Sequence, residues 1–207
     1  TGQAAEKVYR STGPASLLAT QLHVADDAWA EWLPQETILF DRAHLIRRTR
    51  AEVAQEGRLL AGELTVLGRT ARGERAQDAR LLETWRVQRA GRLAWADGLR
   101  LGPPNAALDA PAGFDGCAAL ATLIYVAPDA GDRLETAREI LAGHTGAAGP
   151  DASGEIRAGV SHVAGLLLVR VLAPNGAGLR RAVAGFWADF RQAAAGLPAR
   201  VPAAWHT

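Results

Sequence analysis

Two alternating runs set end to end constrain this chain more than any other stretch. Trp85 and Val87 alternate with Arg86 and Gln88; after Ala90-Gly91, Leu93, Trp95, Asp97, Leu99 and Leu101 share one parity, and Arg92, Ala94, Ala96 and Arg100 the other. A period of two puts one set of side chains on each face of a strand. A short Gly-containing break between two such runs marks a hairpin, so 82–101 is expected to form an antiparallel pair, bent if Gly98 marks a bulge. One hairpin cannot bury both of its faces alone, so further strands must pack around it.

Those strands are visible at 38–40, 65–67 and 120–126, where β-branched and aromatic residues cluster. The last is apolar at both parities, which predicts burial on both faces. The 163–172 run is similar, broken only by Gly165 and Arg170, and is expected to be one central strand ending at the Pro174-Asn175-Gly176 turn signal. Two helices follow from a change of period. Over 134–142, Leu134, Ala137 and Leu141 recur at helical spacing, with Asp132 as N-cap and Glu135 in a capping-box position. Over 177–195, Leu179, Val183, Phe186, Trp187, Phe190 and Ala194 form one stripe, with Arg180, Arg181, Asp189 and Arg191 assigned to the outer side. The Gly-, Ala- and Pro-rich 143–154 stretch is expected to be a mobile loop. The fold class is therefore mainly β, a multi-stranded sheet architecture with two helices in the C-terminal part, and 1–207 fits a single domain.

Charge excludes some functions. With 23 basic and 22 acidic residues and a net charge of +1, no overall excess points to nucleic acid or an anionic membrane. No apolar run reaches the roughly 20 residues that cross a bilayer as a helix. Cys117 is the one cysteine, which rules out an intrachain disulfide and fits a cytoplasmic setting. The sequence opens at Thr1 without a basic or apolar leader, so no signal peptide is expected and the chain reads as an excerpt.

Familiar catalytic patterns fail in turn. Gly176-Ala177-Gly178-Leu179-Arg180-Arg181 resembles a dinucleotide fingerprint, but Arg181 occupies the third glycine position. His23, His44, His144, His162 and His206 show no metal-binding spacing, and His144 and His162 are candidate transient ligands only if the chain handles a metal ion that prefers imidazole and carboxylate donors. No serine stands in a GxSxG elbow, and Cys117 has no cation close in sequence, as expected of a buried, inert thiol. The carboxylates Glu31 and Glu36 flank Trp32-Leu33-Pro34-Gln35; five residues apart, they face opposite sides unless Pro34 breaks the strand.

Several motifs then point one way: TGQAAEKVYRS over 1–11, EWLPQETILFD over 31–41, GRTARGE over 68–74, GRLAWADGLRL over 91–101, ATLIYVAPDA over 121–130, LRRAVAGFWADFR over 179–191, and Trp205. In order and spacing these resemble the UreD (UreH) family of urease accessory proteins across essentially the whole chain. Gly2 replaces the usual threonine or proline, and the family's preceding N-terminal strands are missing. The resemblance implies an elongated, mainly β, non-enzymatic scaffold in the cytoplasm. It implies partnership with UreF, with the GTPase UreG and with apo-urease, and an internal passage that carries nickel toward the urease active site.

No tightly bound cofactor is expected, only transient Ni2+. Weak, fast-exchanging oxygen donors suit a passage better than a trapping site. The matching nickel-passage candidates are Glu31, Glu36, Asp41 and Asp97, with Lys7, Tyr9, Gln35 and Glu74 as structural or interface positions. A salt-bridge set joining Glu31, Glu36 and Lys7 would explain the same residues structurally. Two other readings stay open: a β-rich hydrolase with Glu31 or Glu36 as acid and Asp97 as base or nucleophile, and a β-sheet adaptor with no metal role.

Overall fold

The computed structural model describes residues 1–146 and 154–206. Its strands are β1 (Glu6–Val8), β2 (Ser16–Val24), β3 (Trp29–Trp32), β4 (Thr37–Leu39), β5 (His44–Val53), β6 (Arg58–Leu67), β7 (Arg80–Arg89), β8 (Arg92–Leu101), β9 (Ala119–Val126), β10 (Arg157–Val163) and β11 (Leu166–Ala173). Helix α1 (Leu134–Thr145) lies between β9 and β10, and α2 (Gly176–Ala195) follows β11.

The strands form two sheets. One has the order β1-β4-β6-β9-β11-β10, with β3 also paired to β6; the other has the order β2-β5-β7-β8. Strand β9, apolar at both parities, is central to the larger sheet: Leu123 and Tyr125 face the helices, Ile124 and Val126 face the smaller sheet, and all four are buried. The α2 stripe of Leu179, Val183, Phe186, Trp187, Phe190 and Ala194 is buried as its spacing predicts. The smaller sheet stacks on the opposite face of the larger one.

The 82–101 hairpin forms, with β7 and β8 antiparallel around Ala90-Gly91. Its bulge is not at Gly98, which pairs regularly with Thr84; the register shifts where Val87 meets Trp95 and Gln88 meets Leu93, leaving Ala94 extra. That one-residue slip turns Leu93 outward, so it is 50% exposed instead of sharing the buried side of Trp95.

The 163–172 run is likewise two elements. Ala164 (φ 48°) and Gly165 (φ 83°) make a tight turn with two positive φ values, so Val163 ends β10 and Leu166 begins β11. Asp132 does not cap α1: it lies in a short 3-10 turn, the residue before the helix is Arg133, and Glu135 pairs with Arg138 at 2.8 Å. Asn175 does cap α2, its side-chain oxygen accepting from the Gly178 N–H at 2.8 Å. Of the 143–154 loop, 143–145 belong to α1, and 147–153 lie outside the described residues.

The WLPQE stretch has a specific geometric role. Strand β3 ends with Trp32 opposite Ala61, and β4 starts with Thr37 opposite Thr65, both along β6. Five steps on one strand match four on the other, so Leu33-Pro34-Gln35-Glu36 contributes one extra residue. Parity is thereby reset, and Glu31 and Glu36 both face α2.

Candidate functional site

Between the two sheets the core is apolar at both ends and polar in the middle. One buried cluster gathers Val8, Leu39, Leu45, Leu67, Leu81 and Leu101; another gathers Val24, Val53, Leu59, Trp85, Trp95 and Val126. Separating them is a band of side chains that alternation places inward despite their charge: Arg47 on β5, Glu63 on β6 and Glu83 on β7, only 6%, 3% and 5% exposed.

The Arg47 guanidinium is the hub. Its Nη1 donates to Thr37 Oγ1 at 3.0 Å and its Nη2 to Thr65 Oγ1 at 2.6 Å and to Glu83 Oε2. Its Nε lies 3.1 Å from Glu63 Oε2, an ion pair too poorly aligned to complete a hydrogen bond. Thr49 Oγ1 donates to the other Glu63 oxygen. Two carboxylates thus share one cation in a site almost wholly buried in the protein.

Burial is the main cause that pushes Glu63 up to about 7; Arg47 pulls it down, and Glu83 pushes it up again. Of the two carboxyls, Glu63 is thus the one whose charged form burial disfavours. Arg47 is raised above its ordinary value because Glu83 and Glu63 outweigh the effect of burial, so its charge is permanent.

The band continues toward an opening. Glu63 is in register with Thr122 and Thr122 with Arg170 across the larger sheet, while Trp85 is in register with Asp97 across the smaller one. Beside Glu83 a cavity of about 370 Å³ is lined by Trp85, Asp97, Phe114, Thr122 and Arg170. Arg170 donates to Asp97 at its rim, joining the two sheets, and both side chains are partly exposed.

Of the eight residues singled out from sequence, Asp97 alone lines this band. Glu31 and Glu36 lie on the other side of the larger sheet. Glu31 accepts from the indole N–H groups of Trp29 (2.7 Å) and Trp187 (2.9 Å) and from Arg191 Nε (3.1 Å). Glu36 accepts from Arg180 at 2.8 Å, and Gln35 accepts from the same guanidinium at 3.2 Å while donating to the carbonyls of Gln3 and Ala204. Arg180 also donates to the Trp205 carbonyl and lies 4.9 Å over its ring. Arg180 and Arg191 are therefore not on the outer side of α2: eleven residues apart, they share a face that holds the WLPQE segment.

The other four are elsewhere again. Glu74 accepts from the Asp41 N–H at 3.2 Å and from Arg69, whose hydrogen bond holds its carboxyl below the usual range. Asp41 accepts from the Asp78 N–H at 2.9 Å. Lys7 and Tyr9 are exposed, Tyr9 edge-on to Phe40, so the salt-bridge set does not include Lys7. The proposed acid–base pair of a hydrolase is not brought together, because Asp97 and the Glu31/Glu36 pair occupy opposite faces of the larger sheet. Burial raises the thiol of Cys117, in keeping with an inert role. Among the described residues, no cluster of three or more His, Cys, Asp or Glu could hold a metal ion, and no helix is long and apolar enough to cross a membrane.

Arg47, Glu63 and Glu83 escaped sequence reading, although they carry a signal. In β5, Leu45, Arg47, Thr49, Ala51 and Val53 share the buried parity, so Arg47 is a charge in an apolar register. Glu63 and Glu83 break their strands in the same way.

Fold and site together define a two-layer β protein with helices on one outer face and a buried ionic band between its sheets. The chain belongs to the UreD urease accessory protein family, whose sequence model matches residues 1–206. It is 46% identical over 208 residues to "Urease accessory protein UreD" of Methylobacterium sp. (strain 4-46), covering all of this chain and 70% of that protein. It is 44% identical over 204 residues to the UreD of Magnetococcus marinus, covering 98% and 68%. It is 46% identical over 193 residues to the UreD 2 of Methylorubrum populi, covering 92% and 62%. The family's role as an accessory to urease maturation is thus this chain's role.

Proposed function

We propose that the chain is a non-catalytic scaffold in the cytoplasmic complex that matures urease, contacting UreF, UreG and apo-urease, and that the band between its sheets is the path along which nickel passes. The observation that carries this reading is the run of oxygen donors from Thr37, Thr65 and Glu63 through Glu83 and Thr122 to Asp97, held in an otherwise apolar sandwich. Nickel is cargo here, so the donors must release it. Carboxylate and hydroxyl oxygens bind Ni2+ more weakly than imidazole or thiolate and suit transfer.

The protein leaves room for exchange. Glu63 Oε2 is buried without an aligned donor, and burial raises its carboxyl to about 7, so Ni2+ can displace the Glu63 proton with a gain of one positive charge in the band. Arg47 sets a limit: a permanent cation in the band opposes prolonged residence of Ni2+ and favours onward movement. Asp97 and Arg170, paired at the rim, are placed to open the cavity when a cation attracts the carboxylate.

The test is to co-express the full-length protein with UreF, UreG and apo-urease, then measure urease activity and bound nickel with and without it. Loss of both on its omission is expected; unchanged nickel loading would refute the maturation role.

A further inference from the structure

The face of the smaller sheet turned away from the core carries arginines that the molecule itself does not use. Alternation sends Arg48 and Arg50 of β5, Arg80 and Arg86 of β7, and Arg100 of β8 outward, and all five are exposed. None of the five guanidinium groups takes a hydrogen-bonding or ion-pair partner among the described residues, whereas those of Arg170, Arg180 and Arg191 are all paired. Arg50 and Arg86 lie directly opposite each other, a like-charge pairing that disfavours the isolated sheet. Glu52, the carboxylate on this face, is held by His23 at 3.1 Å. The surface is therefore strongly cationic although the whole chain carries only +1.

Apolar side chains are interleaved with this charge. Leu17, Ile46 and Leu82 stand side by side in register across three strands, and Arg100 ends the row. Leu17, Leu82 and Leu93, 58%, 39% and 50% exposed, are three of the five large exposed apolar side chains among the described residues. At one end His44, Ile46, Arg80, Leu82, Arg100 and Pro103 line a shallow groove of about 450 Å³. Strand spacing and rise make the face about 27 Å by about 15 Å, or about 400 Å². That is about half of what one partner contributes to an ordinary specific interface.

We propose that this face docks an acidic protein surface whose carboxylates pair with Arg48, Arg50, Arg86 and Arg100 and whose apolar side chains cover the Leu17-Ile46-Leu82 row. Arginine suits such a role because its fork pairs two-pronged with carboxylates. The aliphatic row favours protein over nucleic acid, whose recognition calls for phosphate contacts and stacking platforms. The site lies on the far side of the smaller sheet from the ionic band, so it does not depend on the nickel path.

The test uses the full-length protein and a synthetic peptide of alternating Glu and Leu, with fluorescence anisotropy at low and high salt. A duplex DNA control and sedimentation of the protein alone complete it. The peptide is expected to bind, to bind about tenfold more weakly to Arg50→Glu/Arg86→Glu, and to weaken in high salt. Leu82→Asp should weaken it as well. Arg48→Gln/Arg100→Gln gives a milder loss and guards against misfolding, which circular dichroism monitors. Undiminished binding by the charge-reversed protein, no peptide binding, or preference for DNA would overturn the proposal. So would a salt-sensitive dimer that the reversal dissolves, since the face would then belong to a second copy of the chain.

Discussion

Replacing Glu63 with glutamine should change how stability depends on pH more than it changes stability itself. Glu63 is 3% exposed, and its carboxyl is raised from 4.5 to about 7, first by burial and then by Glu83, against the pull of Arg47. The sign follows from linkage. Below 4.5 the carboxyl is protonated in both folded and unfolded chains, and the full favourable contribution is present; as pH rises through about 7 the folded protein loses it. A shift of that size corresponds to about 3 kcal/mol, or roughly 6–12 °C in Tm for a domain of this length. Glutamine preserves shape, can still accept from Thr49, leaves Arg47 paired with Glu83, and does not titrate. Urea denaturation of wild type and Glu63→Gln at pH 5 and pH 8, followed by tryptophan fluorescence, isolates the effect because every other titrating group cancels in the difference. The variant should gain on the wild type by up to about 3 kcal/mol between the two pH values. Parallel stability curves would show that Glu63 stays ionised throughout and that the band does not exchange a proton.

Removing the hub is harsher: Arg47→Met leaves two buried carboxylates without their cation and should cost roughly 3–5 kcal/mol, read as a lower urea midpoint or loss of soluble protein. Glu31→Ala strands the indole N–H groups of Trp29 and Trp187 and leaves the Arg191 guanidinium with the Pro198 carbonyl, and should cost about 2 kcal/mol, by the same assay. In Gly62→Ala the new Cβ would meet Leu123 Cδ2 at 2.2 Å in a buried layer, so a loss of roughly 1–3 kcal/mol is expected. Leu93→Lys should be neutral to within about 0.5 kcal/mol; a loss of several would mean that the β8 bulge does not exist and that Leu93 faces the core.

The parts of the fold written in strict period were readable. The β7–β8 hairpin, the doubly buried β9 and the α2 stripe each depend on residues whose spacing has one structural solution. Strand β2 was not readable, because Ser16–Val24 is a half-exposed edge whose alternation is diluted by Thr20, Gln21 and His23. Nor was the parallel pairing of β2 with β5 and β5 with β7, which depends on chain returns outside the strands. The break at Pro34 could be anticipated, but its consequence, that Glu31 and Glu36 turn together toward Arg191 and Arg180, required the count of residues on β6. Asp97 alone among the sequence candidates lines the band. The motif residues of WLPQE clasp α2 and Trp205, and the polar core is built from Arg47, Glu63 and Glu83, whose chemistry becomes visible only when two distant sheets meet.

The claim that nickel moves along the band is tested most directly by a variant that removes donors without disturbing the hub. Asp97→Asn/Thr122→Val alters one partly exposed rim carboxylate and one hydroxyl with no side-chain hydrogen bond of its own, so the fold and the assembly with partners should persist. The measurement is nickel bound per urease, by elemental analysis, after co-expression with UreF, UreG and apo-urease. A severalfold fall in nickel with intact complex assembly is the predicted result. Full nickel loading by an assembled complex would contradict the path and leave the band a purely structural device.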